Sequence, residues 1–140
     1  MNDKALEWLR QWEHAINAAD FAAARFLFSP DVISFGTLAG ATTGVDELET
    51  RQWRKVWPTL KDFRFDNPLI LVTGEPASSA IIVSRWHSKG KTVDGGWYDR
   101  KGRATLLLKL ENNLLLCCHS HLSMDHGIPP LQSNSSNQRI

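Results

Sequence analysis

The stretch that decides the fold runs from 18 to 36: Ala18-Ala19-Asp20-Phe21-Ala22-Ala23-Ala24-Arg25-Phe26-Leu27-Phe28-Ser29-Pro30-Asp31-Val32-Ile33-Ser34-Phe35-Gly36. Asp20 interrupts one helical pattern and opens a short second helix over 21–27. Ser29-Pro30-Asp31 ends it, because proline cannot continue a helix and pushes its predecessor towards extended backbone. Val32-Ile33-Ser34-Phe35 then reads as a strand closed by Gly36. Upstream, Ala5, Leu9, Trp12, Ile16 and Ala19 recur by four and three, the apolar stripe of a first helix. Asn2 or Asp3 can cap it, with Glu7 in its electropositive first turn. Downstream, 36–44 is a loop of Gly, Ala and Thr. A third helix opens at Thr43, where Thr43 and Asp46 stand in capping-box spacing, and runs through Val56. Trp53 and Trp57, four apart, share a face, and Pro58 closes the helix.

From Phe63 onward the period changes to that of a strand. Phe63, Phe65, Leu69, Leu71 and Val72, then 80–86, 104–110 and 114–122, form runs separated by turn signals. Those signals are Thr73-Gly74-Glu75-Pro76, Asp94-Gly95-Gly96 and Glu111-Asn112-Asn113. Three N-terminal helices followed by long hairpin-joined strands predict an α+β fold with a mostly antiparallel sheet, not alternating βαβ units. The 140 residues suit one domain, expected over 1–128. The segment 129–140, Pro-Pro followed by a polar apolar-poor run, is expected to be a disordered tail.

Composition narrows the partners. Sixteen Lys and Arg against fifteen Asp and Glu leave a net charge of +1, with no general attraction to nucleic acid or anionic lipid. No apolar run reaches the roughly 20 residues of a membrane span, and the first residues lack a signal peptide's apolar core, so a cytoplasmic protein is expected. Cys117 and Cys118 are adjacent and, on extended backbone, point apart, which disfavours a disulfide and agrees with a reducing compartment. Six tryptophans beside one tyrosine imply either a bulky core or an aromatic-lined pocket.

The order helix, short helix, strand, helix, long antiparallel sheet resembles the nuclear transport factor 2-like superfamily over about residues 3–127. That superfamily includes ketosteroid isomerase, SnoaL-type cyclases and the association domain of calmodulin-dependent kinase II. Three patterns carry the resemblance: Ala18-Ala19-Asp20-Phe21 with Leu27-Phe28-Ser29-Pro30-Asp31-Val32; Gly102-Arg103-Ala104-Thr105 at a strand start; and His119-Ser120-His121-Leu122-Ser123 near the last strand's end. The last two are most similar to the SnoaL-like and kinase-association branch. The resemblance implies a cone, in which the curved sheet wraps the helices around an apolar pocket, and a homodimer through the outer sheet faces. It leaves activity open, since the superfamily holds isomerases, cyclases, dehydratases and binding subunits.

In steroid-type isomerases a carboxylate base ends the first strand and a first-helix tyrosine serves the oxyanion hole. Gapless alignment on Asp20 and Asp31 puts Gly36 at the base and Trp12 at the tyrosine, so that chemistry is not expected. His119 and His121 share a strand face, with Cys117 and Ser123 expected on it too. They are candidate acid–base groups, or else hydrogen-bonded histidines on the sheet's outer face at a dimer contact. A metal reading lacks a third ligand at recognisable spacing. Arg103 could face them across a hairpin and hold an anionic group, or pair with Asp99 or Asp125. Trp53, Trp57, Trp86 and Phe35 are candidate pocket walls, with core packing as the alternative, and Tyr98 could supply a phenol from a loop. No nucleophile elbow or phosphate-binding Gly-rich loop occurs, and no cofactor or metal is expected. The sequence supports two functions. One is a SnoaL-like pocket protein for a small, partly apolar organic ligand, with or without isomerase-, cyclase- or dehydratase-like chemistry. The other is a non-enzymatic homo-oligomeric binding or assembly module.

Overall fold

A computed structural model describes residues 1–129, so the expected tail lies outside the described residues except for Pro129. Helix α1 (Asn2–Ala18) ends where Ala19 turns left-handed at φ 50° and its N–H reaches Ala15 and Ile16 carbonyls. Its cap position is Met1, without a side-chain cap bond, rather than Asn2 or Asp3. Asp20 does cap the next helix: its carboxylate accepts the Ala23 N–H at 3.0 Å. Helix α2 (Phe21–Arg25) stops two residues short of the predicted end. Strand β1 (Phe28–Phe35) therefore begins earlier than expected and absorbs Ser29-Pro30-Asp31. Its register against the last strand shifts between Phe28 and Ile33, the irregular place in a sheet where proline is tolerated.

The predicted loop holds a short strand, β2 (Ala41–Thr43), antiparallel to β1. The third helical stretch is not one continuous α-helix. It comprises α3 (Val45–Leu48), a π-helical turn (Glu49–Trp53), α4 (Arg54–Val56) and a 3₁₀ turn (Trp57–Thr59) that contains Pro58. Gly44 takes the cap position, and Glu47 rather than Asp46 bonds back to the Thr43 N–H, at 3.0 Å. Asp46 instead meets Arg25 at 2.6 Å.

Strands β3 (Leu60–Thr73), β4 (Ser79–Lys91), β5 (Trp97–Glu111) and β6 (Leu114–Met124) complete one curved six-stranded sheet, in the order β2-β1-β6-β5-β4-β3. All neighbours are antiparallel except β1 and β6. The fold is thus α+β, as the period change implied. Asn112 and Asn113, at φ 52° and 66°, make the tight two-residue β5–β6 turn. The helices cover one sheet face. Among the described residues no helix is long and apolar enough to cross a membrane.

Aromatic rings join helices to sheet. Trp8, Trp12, Phe28, Trp53 and Trp57 form a chain with centroid separations of 4.8–5.6 Å. Through Phe65 and Phe63 it continues to Trp86. Each such pair adds about 0.5–1.5 kcal/mol beyond its buried area. Polar clamps fix α1 on the edge strand β3. Asn17 accepts the Phe63 N–H at 2.7 Å and donates to the Phe63 carbonyl at 2.9 Å. Buried Glu13 accepts the Phe65 N–H at 2.8 Å and pairs with Arg10 and Arg64.

A second ionic cluster, Arg25–Glu49–Arg54, ties α2 to the π turn with contacts of 2.9 and 2.6 Å. Burial works to raise the Glu49 pKa, but bonds from Arg25 and Arg54 outweigh it, and the net shift is downward from 4.5. A carboxylate whose folded-state pKa is depressed stabilises the fold fully above its unfolded value and loses that contribution as pH falls through the folded value. The melting-temperature advantage of wild type over Glu49→Gln should therefore be constant near neutrality and shrink below about pH 4.5. A difference independent of pH down to about pH 3 would contradict it.

Candidate ligand-binding cavity

Strand alternation decides what faces the helices. On β4 the inward positions are Ala80, Ile82, Ser84, Trp86 and Ser88, all buried. On β5 the inward series Leu108, Leu106, Ala104, Gly102 ends at Arg100, which is 3% exposed. On β6 Ser120 and Leu122 face inward. Between this face and the helical layer lies a cavity of about 40 Å³. That is room for a few waters, given the roughly 10–15 Å³ each requires. Its walls are Trp12, Trp53, Trp57, Phe63 and Trp86, and its partly exposed rim is Phe35, Gly36, Thr37, Leu60 and Leu122.

The rim is held by Gln52, which the π turn aims at the loop after β1. Its Oε1 accepts the Leu38 and Ala39 N–H groups at 3.0 and 2.7 Å, and its Nε2 donates to Thr37 Oγ1 at 2.9 Å. A Cβ on Gly36 would lie 2.5 Å from Gln52 Oε1. The position that the gapless alignment gave to a carboxylate base thus has no room for any side chain while Gln52 is there. Inside, Ser34 Oγ and Ser120 Oγ share a hydrogen bond of 2.7 Å across the parallel β1–β6 pair.

Arg100 is the one ionisable side chain among the described residues that line the cavity. Its Nη1 donates to Ser88 Oγ at 3.3 Å, it hydrogen-bonds Tyr98, and its guanidinium carbon sits 5.3 Å from the Trp86 ring centroid. Burial pushes its pKa below the ordinary guanidinium value, and Tyr98 partly offsets that. Gly90 makes the packing feasible: a Cβ there would come within 2.6 Å of Arg100 Cδ and 2.7 Å of the Tyr98 ring. Three buried side-chain polar atoms among the described residues have no hydrogen-bond partner: Arg100 Nε, Trp12 Nε1 and Thr42 Oγ1. Two of the three belong to residues of this cavity.

Arg103, His119 and His121 lie on the outer sheet face and not on the cavity, which for the histidines is the outer-face alternative. Arg103 is exposed on the outer sheet face opposite Ser123, and neither Asp99 nor Asp125 is its partner: Lys89 takes Asp99, and Arg85 takes Asp125. His119 and His121 flank Phe35 on that outer side, with ring separations of 6.1 and 5.2 Å, and His119 Nδ1 bonds the Ile33 carbonyl at 2.8 Å. Cys117 does not share their face. Register slips at Cys118, where Leu107 pairs with His119 but Leu108 with Cys117. This extra residue reverses the alternation and buries Cys117. Burial pushes the Cys117 thiol far up, so it is no nucleophile. Trp53, Trp57 and Trp86 wall the cavity, whereas Phe35 reaches only its rim and turns its ring to His119 and His121. Tyr98 reaches it only through Arg100.

Arg100, Trp12, Gln52 and Ser120 are cavity residues that the sequence reading missed. A signal for Arg100 existed: stepping back by two from Leu108 through Ala104 and Gly102 lands on an arginine in an apolar series.

Comparison with known proteins agrees with this architecture. The SnoaL-like domain family model matches residues 6–126. The chain belongs to the SnoaL-like family. No curated protein matches this SnoaL-like chain. Among solved structures, a Streptomyces avermitilis protein of the nuclear transport factor 2-like family, provisionally assigned as a dehydratase, superposes with TM-score 0.75 at 13% identity, over 89% of this chain and 96% of its own. The association domain of the C. elegans calcium/calmodulin-dependent kinase II gives 0.70 at 15%, over 87% and 94%. A nuclear transport factor 2-like superfamily protein from Salmonella enterica gives 0.71 at 18%, over 96% and 93%. At such identities the likeness is one of fold.

Proposed function

We propose that this SnoaL-like protein is a homo-oligomeric binding protein whose cavity holds a small, partly apolar organic ligand. The observation that carries the reading is the pair of buried donors without acceptors among the described residues, Arg100 Nε and Trp12 Nε1, on one aromatic-walled cavity. A buried polar group without a partner costs about 1–3 kcal/mol, and a ligand acceptor removes that cost.

Turnover by acid–base chemistry is the weaker reading. The described lining holds no carboxylate or imidazole, and a guanidinium does not give up its proton in the physiological range. Arg103, His119 and His121 then serve the outer face, where Ile33, Leu69, Leu71 and Val83 are exposed across strands β1, β3 and β4. Apolar exposure on that scale favours a subunit contact through this face. Binding and assembly are compatible, because they use opposite faces of one sheet.

Native mass spectrometry on protein taken from its own host without unfolding tests this. The expected spectrum is a dimer or larger oligomer carrying a small organic molecule that is released on unfolding. A monomer of bare polypeptide mass would overturn the reading.

A further inference from the structure

We infer that the ligand is a small monocarboxylate with a short apolar body, its carboxylate paired with Arg100. This rests on the binding-cavity reading above and names the ligand's chemical class.

Arg100 is anomalous within its own protein. The other buried residue with a formal charge among the described residues, Glu13, is matched by Arg10 and Arg64. Among the described residues Arg100 has neutral company: Ser88, Tyr98 and the Trp86 ring. A charge withdrawn from water is tolerated when a counter-charge and hydrogen bonds replace the solvent. Here the hydrogen bonds are partial and no counter-charge stands beside the guanidinium among the described residues. The group is nevertheless held in place, because Gly90 leaves room for Arg100 and Tyr98 to pack and Trp86 supports the guanidinium.

Charge and space select among anions. One guanidinium in an otherwise apolar and neutral wall matches a single negative charge. A phosphate dianion would bring a second charge with nothing to meet it. A guanidinium fork and a carboxylate are matched in shape, and charge-assisted pairs of this kind are the strong ones. Some 40 Å³ accepts a carboxylate head and little more. The apolar body then lies towards the rim, between Leu60 and Leu122. Trp12 Nε1 is a second unpartnered donor, on a residue of the same cavity.

The test compares propionate and benzoate with propionamide and benzamide, their uncharged counterparts, at ionic strength held constant with sodium chloride. Calorimetric affinity and melting temperature are read on the wild-type oligomer and on Arg100→Met. At least one acid should bind and raise the melting temperature in proportion to its concentration, while its amide does not. Arg100→Met should weaken that acid by roughly 10- to 150-fold, the loss of a hydrogen bond to a charged group. Without ligand the same variant should melt higher than wild type, whereas an arginine serving only the fold would give a lower value. The acid–amide comparison needs no variant, so it decides the matter even if Arg100→Met fails to fold. Equal responses to acid and amide, or full retention of acid binding by a folded Arg100→Met, would overturn the carboxylate assignment and leave the cavity reading standing. No response to any of the four would overturn both.

Discussion

Gly102→Ala is expected to lower the melting temperature by roughly 10 °C or more, or to leave no folded protein at all. Gly102 lies on the inward face of β5, opposite Trp86 on β4 and Met124 on β6. An added Cβ would lie 1.9 Å from the Ser123 carbonyl oxygen and 2.7 Å from the Trp86 ring. A flexible side chain could yield at such a distance, but the first atom is backbone in a paired strand. Relief requires β5 and β6 to part, at the site where the Trp86 indole also donates to the Arg103 carbonyl at 3.2 Å. Overpacking alone costs about 1–3 kcal/mol, and broken ladder bonds add to it. Circular dichroism on heating reads the effect. A melting temperature within about 2 °C of wild type would show that the strands are not so close. The glycine of the Gly102-Arg103-Ala104-Thr105 pattern is thus a seat for the indole, independent of any role of Arg103.

Glu13→Ala is expected to cost about 2–4 kcal/mol, some 6–12 °C in melting temperature. The edge strand β3 has a neighbour on one side only, and α1 supplies partners for its exposed backbone through side chains. Removing the Glu13 carboxylate strands the buried Phe65 N–H and leaves Arg10 and Arg64 without their shared acceptor. Asn17, two residues along β3 at Phe63, should become more sensitive in the same background, because both clamps hold one helix on one strand. Urea unfolding of the two single variants and the double variant measures this. A Glu13→Ala protein as stable as wild type would mean that water replaces the carboxylate, contrary to its burial.

The fold was legible in the sequence where periodicity is strong. The α1 stripe, the strand runs after Phe63, the Asp20 stop and the Asn112-Asn113 turn all speak through local chemistry. The third helix was legible in extent but not in kind. Nothing in Glu49-Thr50-Arg51-Gln52-Trp53 announces a π turn, because the wider turn comes from tertiary ties at Glu49 and Gln52. The sheet face of His119 and His121 was left open by the sequence for a definite reason. Assigning His119 and His121 to a face requires the register of β6, and one extra residue at Cys118 reverses it. Arg100 was hidden by its neighbours, since Asp99-Arg100-Lys101 resembles a solvated hairpin tip and only the alternation of β5 reveals the buried one.

The most direct test of the binding account is a crystal structure of protein taken straight from its host, with attention to the cavity behind Gln52. The account predicts density for a small molecule within hydrogen-bonding distance of the Arg100 guanidinium, bounded by Trp12, Trp57 and Trp86. A cavity holding only side chains, with bound density instead at His119 and His121 on the outer face, would contradict it.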